Sequence, residues 1–378
     1  MGLTKASTGS KVMKQDIFEK AIGCDYTIAI AGNPNVGKST VFNALTGMHQ
    51  HTGNWPGKTV TNATGICTYN SKNFLLVDIP GTYSLMSNSE EEEIARNYIC
   101  FGNPDVTVVI IDATCLERNL NLVYQTMEIT NNIVVCVNLL DEAKKKGIEI
   151  NLDALSEFLG VPVVGTIARK KKTLNNLLDT IYKVCNHEII PTPELITYPN
   201  SIENAIDKLL PHVSRLLSKD YKYISRWICI KLIDGDKKIL NSIKTSLSKD
   251  FMTKAIKEEL NTIDNSTFKD KLVSSIVSKS EEVSRKVCFF KNSNYRERDR
   301  KIDKILTSKT FGIPIMLIFL GLIFWLTITG ANYPSSLLSN LFGMIQDKLL
   351  IFFDFINSPL WLTDMLVNWS LSDLSMGC

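Results

Sequence analysis

Residues 26–47, YTIAIAGNPNVGKSTVFNALTG, constrain the fold more than any other stretch of the chain. A β-branched apolar run leads into a loop of the form GxxxxGK[ST] at residues 32–39, and a helix-like segment follows. Strand, phosphate loop and helix in that order predict a parallel sheet with a ligand at its carboxyl edge. In such a loop the backbone of Gly32, Asn33, Pro34, Asn35, Val36 and Gly37 wraps phosphate oxygens. The helix N-terminus adds the positive end of its dipole, Lys38 reaches the β- and γ-phosphates, Ser39 ligates Mg²⁺, and Thr40 completes the phosphate-facing stretch.

Further strand ends follow in the order such a site needs. FLLVDIPGTYSL is a buried-type strand ending at Asp78, with Gly81 three residues on. In this DxxG arrangement the Asp holds Mg²⁺ through water and the Gly N–H senses a γ-phosphate. VTVVIIDA at 106–113 is another apolar strand, and NIVVCVNLLDEA delivers Asn138 and Asp141. An Asp carboxylate at that strand end accepts two hydrogen bonds from the N1 and N2 donors of guanine, which adenine does not offer. The expected nucleotide is therefore GTP or GDP. VPVVGTIAR supplies a last strand and turn, with Thr166 behind it and the Ala168 N–H facing guanine O6. Any one of these features reads as a chance turn; four in sequence, each at a strand end, do not. The strand and helix alternation over 26–188 predicts an α/β fold, a doubly wound P-loop GTPase domain.

Two departures from common GTPases carry information. Thr82 follows Gly81 where many GTPases place the Gln that orients the attacking water, so another group must stabilise the transition state. Leu139 stands where a Lys stem often stacks on guanine, which predicts a weak grip and fast nucleotide release.

The segments AGNPNVGKSTVFNALTG, HTGNWPGKTV, DIPGTYSL, ERNLNL and NLLD together resemble the FeoB family of prokaryotic ferrous-iron transporters, over residues 26–378. The resemblance implies a cytoplasmic G domain followed by a small helical domain that modulates GDP affinity. It implies a K⁺ ion beside the phosphates, held with the help of Asn35 and capped by backbone carbonyls of residues 53–55. It also implies that Thr59, beside Gly57 and Lys58, senses Mg²⁺ in the first switch. Asn35, Lys38, Thr59 and Gly81 form the catalytic set on this reading. A monovalent cation there would offset developing charge much as an arginine does. On the residues alone, Asn35 reads equally as a turn residue. Ile167 sits where the family's base-contacting turn usually has Ser, which leaves the Ala168 N–H for the base. Further implications are Fe²⁺ as transported substrate, a homo-oligomer, a small cytosolic accessory protein, and a prokaryotic cell membrane.

The remaining sequence bounds these readings. With 44% hydrophobic and 21% charged residues the chain has material for two folded domains, and a net charge of +3 argues for no nucleic-acid partner. Nine cysteines include no CxxC pair, which argues against a zinc site or a disulfide framework. Residues 1–25 form an extension without the apolar run of a signal peptide, and Ala6 breaks the myristoylation pattern. NSEEEEIARNYI at 88–99 reads as a helix capped by Asn88 or Ser89, with carboxylates against its dipole. His49 and His51 read as solvated loop residues.

After a proline-punctuated linker at 191–199 the pattern turns helical. Ile202, Ala205, Ile206, Leu209, Leu210 and Val213 share one stripe, and a helical domain is expected over 189–290. Residues 291–309 carry seven Lys or Arg against three acids, directly before the uncharged run FGIPIMLIFLGLIFWLTIT. Hence a basic linker at 291–310 precedes one transmembrane helix at 311–330, with residues 1–310 cytoplasmic. Residues 331–378 are expected outside, in the interface. One helix encloses no pore, so further helices are expected past residue 378. Competing readings are a membrane-anchored signalling GTPase and a GTPase of tRNA modification or ribosome assembly.

Overall fold

The computed structural model describes residues 23–47, 50–55, 60–86, 89–247, 250–263, 267–290, 305–306, 308, 311–356 and 359. The chain divides into two compact units, Met1–Lys291 and Asn292–Cys378.

The strands of the first unit are β1 (Tyr26–Gly32), β2 (Gln50–Asn54), β3 (Thr61–Tyr69), β4 (Lys72–Asp78), β5 (Val106–Asp112), β6 (Ile133–Asn138), β7 (Ile148–Ile150), β8 (Val163–Gly165) and β9 (Cys288–Phe290). Seven of them form one mixed sheet in the order β2-β3-β4-β1-β5-β6-β8. The strands from β4 to β8 in that order run parallel, whereas β3 pairs antiparallel with β4 and β2 antiparallel with β3. Runs such as VTVVIID bury on both faces because helices cover both sides of the parallel part. The antiparallel edge was not among the expected strands. QHTGN and TNATGICTY lack a continuous apolar run, and only Gly65 and Cys67 of β3 are buried.

The helices of this unit are α1 (Lys38–Thr46), α2 (Glu90–Phe101), α3 (Leu116–Met127), α4 (Leu140–Lys145), α5 (Leu152–Leu159), α6 (Lys171–Cys185), α7 (Asn200–Leu216), α8 (Ser225–Asp234), α9 (Lys237–Leu247), α10 (Lys254–Asn261) and α11 (Phe268–Val287). Alternation along the strands sorts the core into two layers. Ile28, Ile30, Leu76 and Ile110 face α1 and α6, where Phe42, Leu177 and Ile181 meet them. Ala29, Val77, Val109 and Val135 face the other way, into a layer that runs on through Leu120, Leu209, Trp227 and Leu272. The helical segment and the sheet thus share one continuous core.

Polar contacts close the same seam. Arg226 of α8 donates from Nη1 and Nη2 to the two Glu203 carboxylate oxygens at 2.7 and 2.8 Å, and from Nη2 to the Ile196 carbonyl at 3.0 Å. Its Nε lies 3.5 Å from Glu128 at the end of α3, and the Tyr198 hydroxyl donates to Glu128 at 3.1 Å. β9 then returns the chain to β7, with Ile148 opposite Phe290.

In the second unit α12 (Gly312–Phe355) is a continuous 44-residue helix. Its stretch Gly312–Gly330 has a mean hydropathy of 2.2 and none of it is buried, so by length and composition it is a candidate membrane span. Residues 331–355, set apart in the sequence reading, continue the same helix, which stops just before Asn357 and Pro359.

Candidate nucleotide site

Every site residue contributed by a strand end lies at the carboxyl edge of the parallel strands. β1 ends in Gly32, β4 in Asp78, β6 in Asn138, and β8 leads into Thr166. The register fixes their neighbourhood: Asp78 stands opposite Ile30, and Gly32 opposite Ile110. Gly32 is required by that closeness, since a Cβ there would lie 2.6 Å from the Ile110 carbonyl oxygen.

The loop between β1 and α1 turns left-handed at Asn35 (φ 67°) and Gly37 (φ 81°). Such residues aim successive backbone N–H groups to one side, the concavity that receives phosphate oxygens. No side chain caps the N-terminus of α1, so its first-turn donors remain for an anion. Asn35, Ser39 and Thr40 are exposed at the mouth, while Asn33 is buried with an Oδ1 that has no partner.

Lys38 is ion-paired with Asp78. Burial raises the Asp78 carboxyl above its ordinary range, and the Lys38 ammonium opposes that shift. The segment after Asp78 lies against the loop. Thr82 donates its N–H to the Gly32 carbonyl at 3.2 Å, and a Cβ on Gly81 would sit 3.5 Å from Pro34 Cα. Thr82 itself is buried.

On the base side, Asn138 is fully buried and ties the pieces together. Its Nδ2 donates to the Val36 carbonyl at 3.0 Å, and the Thr166 hydroxyl donates to its Oδ1 at 3.2 Å. Asn138 is therefore a strut between phosphate loop and base-side strands. Leu139 is left-handed (φ 61°), which starts α4 abruptly and sets Asp141 in its first turn. Ala168 is half-buried in a turn closed by Lys170 N–H to Ile167 O at 2.7 Å and by Ile167 N–H to the Thr173 hydroxyl at 3.1 Å.

Gly57, Lys58, Thr59, His49 and the side chain of His51 lie outside the described residues. Gly53 and Asn54 belong to β2, opposite Asn62 and Thr61. Trp55 is buried edge-on to Tyr98 of α2, with ring centroids 5.3 Å apart. Ser89, not Asn88, caps α2 by accepting the Glu92 N–H at 3.2 Å. Among the described residues no group of three or more His, Cys, Asp or Glu is placed to hold a metal ion.

Sequence reasoning singled out neither Arg118 nor Gln125 of α3, both of which touch the segment after Gly81. Their spacing of seven residues, two helical turns, was the available signal.

A phosphate loop tied through a buried Asn to a strand end of the form Asn-x-x-Asp, in a mixed sheet covered by helices, defines a P-loop G domain of the GTPase class. Residues 26–181 match the family described as "Ferrous iron transport protein B", and residues 198–288 the "FeoB cytosolic helical domain". The Fe(2+) transporter FeoB of Methanocaldococcus jannaschii is 36% identical over 328 residues, covering 85% of this chain and 48% of the relative. An Fe(2+) transport protein A/Fe(2+) transporter FeoB fusion protein of Porphyromonas gingivalis is 32% identical over 345 residues, covering 87% of this chain and 40% of the relative. A GDP-bound mutant of S. thermophilus NFeoB superposes with a TM-score of 0.61 at 29% identity, covering 70% of this chain and all of that one. The cytosolic domain of T. maritima FeoB in its apo form gives 0.60, also at 29% identity, covering 70% of this chain and 99% of that one. The chain belongs to the FeoB family. It spans less than half the length of these two curated relatives.

Proposed function

We propose that the chain is the GTP-binding and GTP-hydrolysing switch of a membrane ferrous-iron uptake transporter. The observation that carries this reading is the Lys38–Asp78 ion pair at the mouth of the phosphate loop. The pair brings the loop lysine and the β4 carboxylate together at the carboxyl edge, where an α/β sheet takes its ligand. With nucleotide bound, Lys38 would serve the β- and γ-phosphate oxygens, and Asp78 would help to hold Mg²⁺ through water.

The donor set fits the nucleotide and both ions. Ser39 presents a hydroxyl at the start of α1, and Asp78 a carboxylate at the end of β4, the hard oxygen ligands that Mg²⁺ takes. Thr59 would add a third from the first switch. Asn35, exposed at a left-handed turn, and the unpartnered Oδ1 of Asn33 offer amide oxygens to K⁺. Bound there, the two cations supply the positive charge that stabilises the leaving phosphate. The protein's own part is orientation: the loop N–H groups fix the phosphates, the Gly81 N–H meets the γ-phosphate, and Asp141 with the Ala168 N–H selects guanine. Thr82 has no amide to orient water, so the reading leans on the Asn35 cation.

The printed names of the FeoB relatives support transport of Fe²⁺, and a cell-membrane location with residues 1–310 in the cytoplasm, a homo-oligomer and a small accessory protein belong to the same proposal. The candidate span Gly312–Gly330 supports the membrane part. The test is GTP turnover in potassium against sodium, with Asn35→Ala alongside. Faster turnover in potassium that the variant abolishes is expected, and equal rates in both salts would remove the potassium site.

A further inference from the structure

The segment that follows Gly81 is held by one face of α3. Arg118 sets its guanidinium 4.2 Å from the centre of the Tyr83 ring, within cation–π range. Seven residues on, Gln125 offers one carbonyl oxygen to two donors, the Leu85 N–H at 2.7 Å and the Ser84 hydroxyl at 3.1 Å. Ser84 Oγ in turn accepts the Met86 N–H at 3.0 Å. Two helical turns separate Arg118 from Gln125, so both rise from the same face. Three consecutive residues, beginning two after Gly81, are thereby tied to α3, and Met86 follows through Ser84.

Packing gives the tie its consequence. Leu85 is buried, and it lines with Met86, Gln125, Trp227, Ile230 and Leu272 a cavity of only about 30 Å³. That volume holds about one water. The segment cannot slide into the seam without giving up the Gln125 bonds.

We propose that Gln125, seconded by Arg118, is a positioning residue that fixes the resting place of residues 83–86 and so sets the difference in affinity between GTP and GDP. The inference rests on the GTPase reading above. Lys38, paired with Asp78, stands at the mouth of the same loop. Drawing the Gly81 N–H to a γ-phosphate pulls on the residues behind it and against Gln125. GDP makes no such demand, so the bonds weigh against GTP alone.

The test uses the full chain and measures Kd for GDP and for a non-hydrolysable GTP analogue. Gln125→Leu keeps the size and deletes the acceptor, whereas Gln125→Glu keeps the acceptor. Deleting two modest hydrogen bonds is expected to move the affinity ratio towards the GTP analogue by roughly three- to tenfold. The Kd for GDP stays near the wild-type value, and Gln125→Glu stays near the wild-type ratio. Arg118→Ala, at an exposed position where folding is not at stake, shifts the ratio the same way by a smaller factor. An unchanged ratio in Gln125→Leu and Arg118→Ala overturns the inference, as does a Gln125→Glu variant that behaves like Gln125→Leu. A wild-type chain that binds neither nucleotide overturns the GTPase reading itself, a result distinct from binding with an unchanged ratio.

Discussion

At Gly37 the backbone and its surroundings both exclude a side chain. The residue is left-handed at φ 81°, which costs an L-residue about 1–2 kcal/mol, and its missing Cβ would fall 2.5 Å from Asn138 Nδ2. Gly37→Ala is therefore expected to push Asn138 off the Val36 carbonyl and to weaken GDP binding by at least about tenfold, the factor that 1.4 kcal/mol corresponds to. A fluorescence titration with GDP measures this. The placement of Gly32, Lys38, Asp78, Asn138 and Thr166 was legible in the sequence, because the apolar runs mark the strands that end in Gly32, Asp78 and Asn138 and lead into Thr166, and Lys38 opens the helix after the first of them. What the residues did together was not visible. That Asn138 serves the loop at Val36, and that Lys38 rests on Asp78, depend on register between strands far apart in the chain. Arg118 and Gln125 were missed because their seven-residue spacing marks a shared helix face without telling what that face meets, here an exposed ring, a hydroxyl and a backbone N–H.

Through Tyr198 and Arg226, the end of α3 meets the helical segment at Glu128. Its carboxyl is buried, and burial raises its pKa from 4.5 to about 6, against the pull of Arg226 and the hydrogen bond from Tyr198; Glu203 faces it too, and Lys231 lines the same small cavity. A folded pKa above the unfolded one means that the native state holds this proton more tightly. The contribution to stability is then complete below pH 4.5 and is lost as pH rises to about 6. Wild-type Tm is expected to fall across that interval relative to Glu128→Gln, which keeps an acceptor for Tyr198 and cannot titrate. Parallel Tm profiles for the two proteins would refute it. Glu203 acts on the acid side, because its hydrogen bonds from Arg226 hold its carboxyl below the usual range and stabilise only while it is ionised. Elements with a strong period, such as α7 with its buried Ile202, Ile206, Leu209 and Val213, could be read from the sequence. The β2-β3 edge and the β7-β9 ribbon could not, since short half-exposed strands owe their existence to a partner elsewhere in the chain.

For the whole molecule, the sequence reading of a GTPase domain, a helical segment and an apolar helix matches the folded protein in kind. It differs in how the parts join. Helices α7 to α11 pack into the same core layer as one sheet face, so the helical segment is continuous with the G domain in its packing. A nucleotide-driven shift after Gly81 would therefore be felt directly by α8 and α11, through Leu85 and Met86. The helix Gly312–Phe355 belongs to the second unit, and its first 19 residues have the length and apolarity to cross a bilayer. Everything assigned to the molecule depends on one claim, that the mouth of the β1-α1 loop is a guanine-nucleotide hydrolysis site. The most direct measurement is phosphate release by the purified full chain from GTP and from ATP, with Lys38→Ala as the control. Release from GTP alone, lost in Lys38→Ala, is the expected result; equal turnover of ATP, or GTP turnover that survives the loss of Lys38, would contradict it.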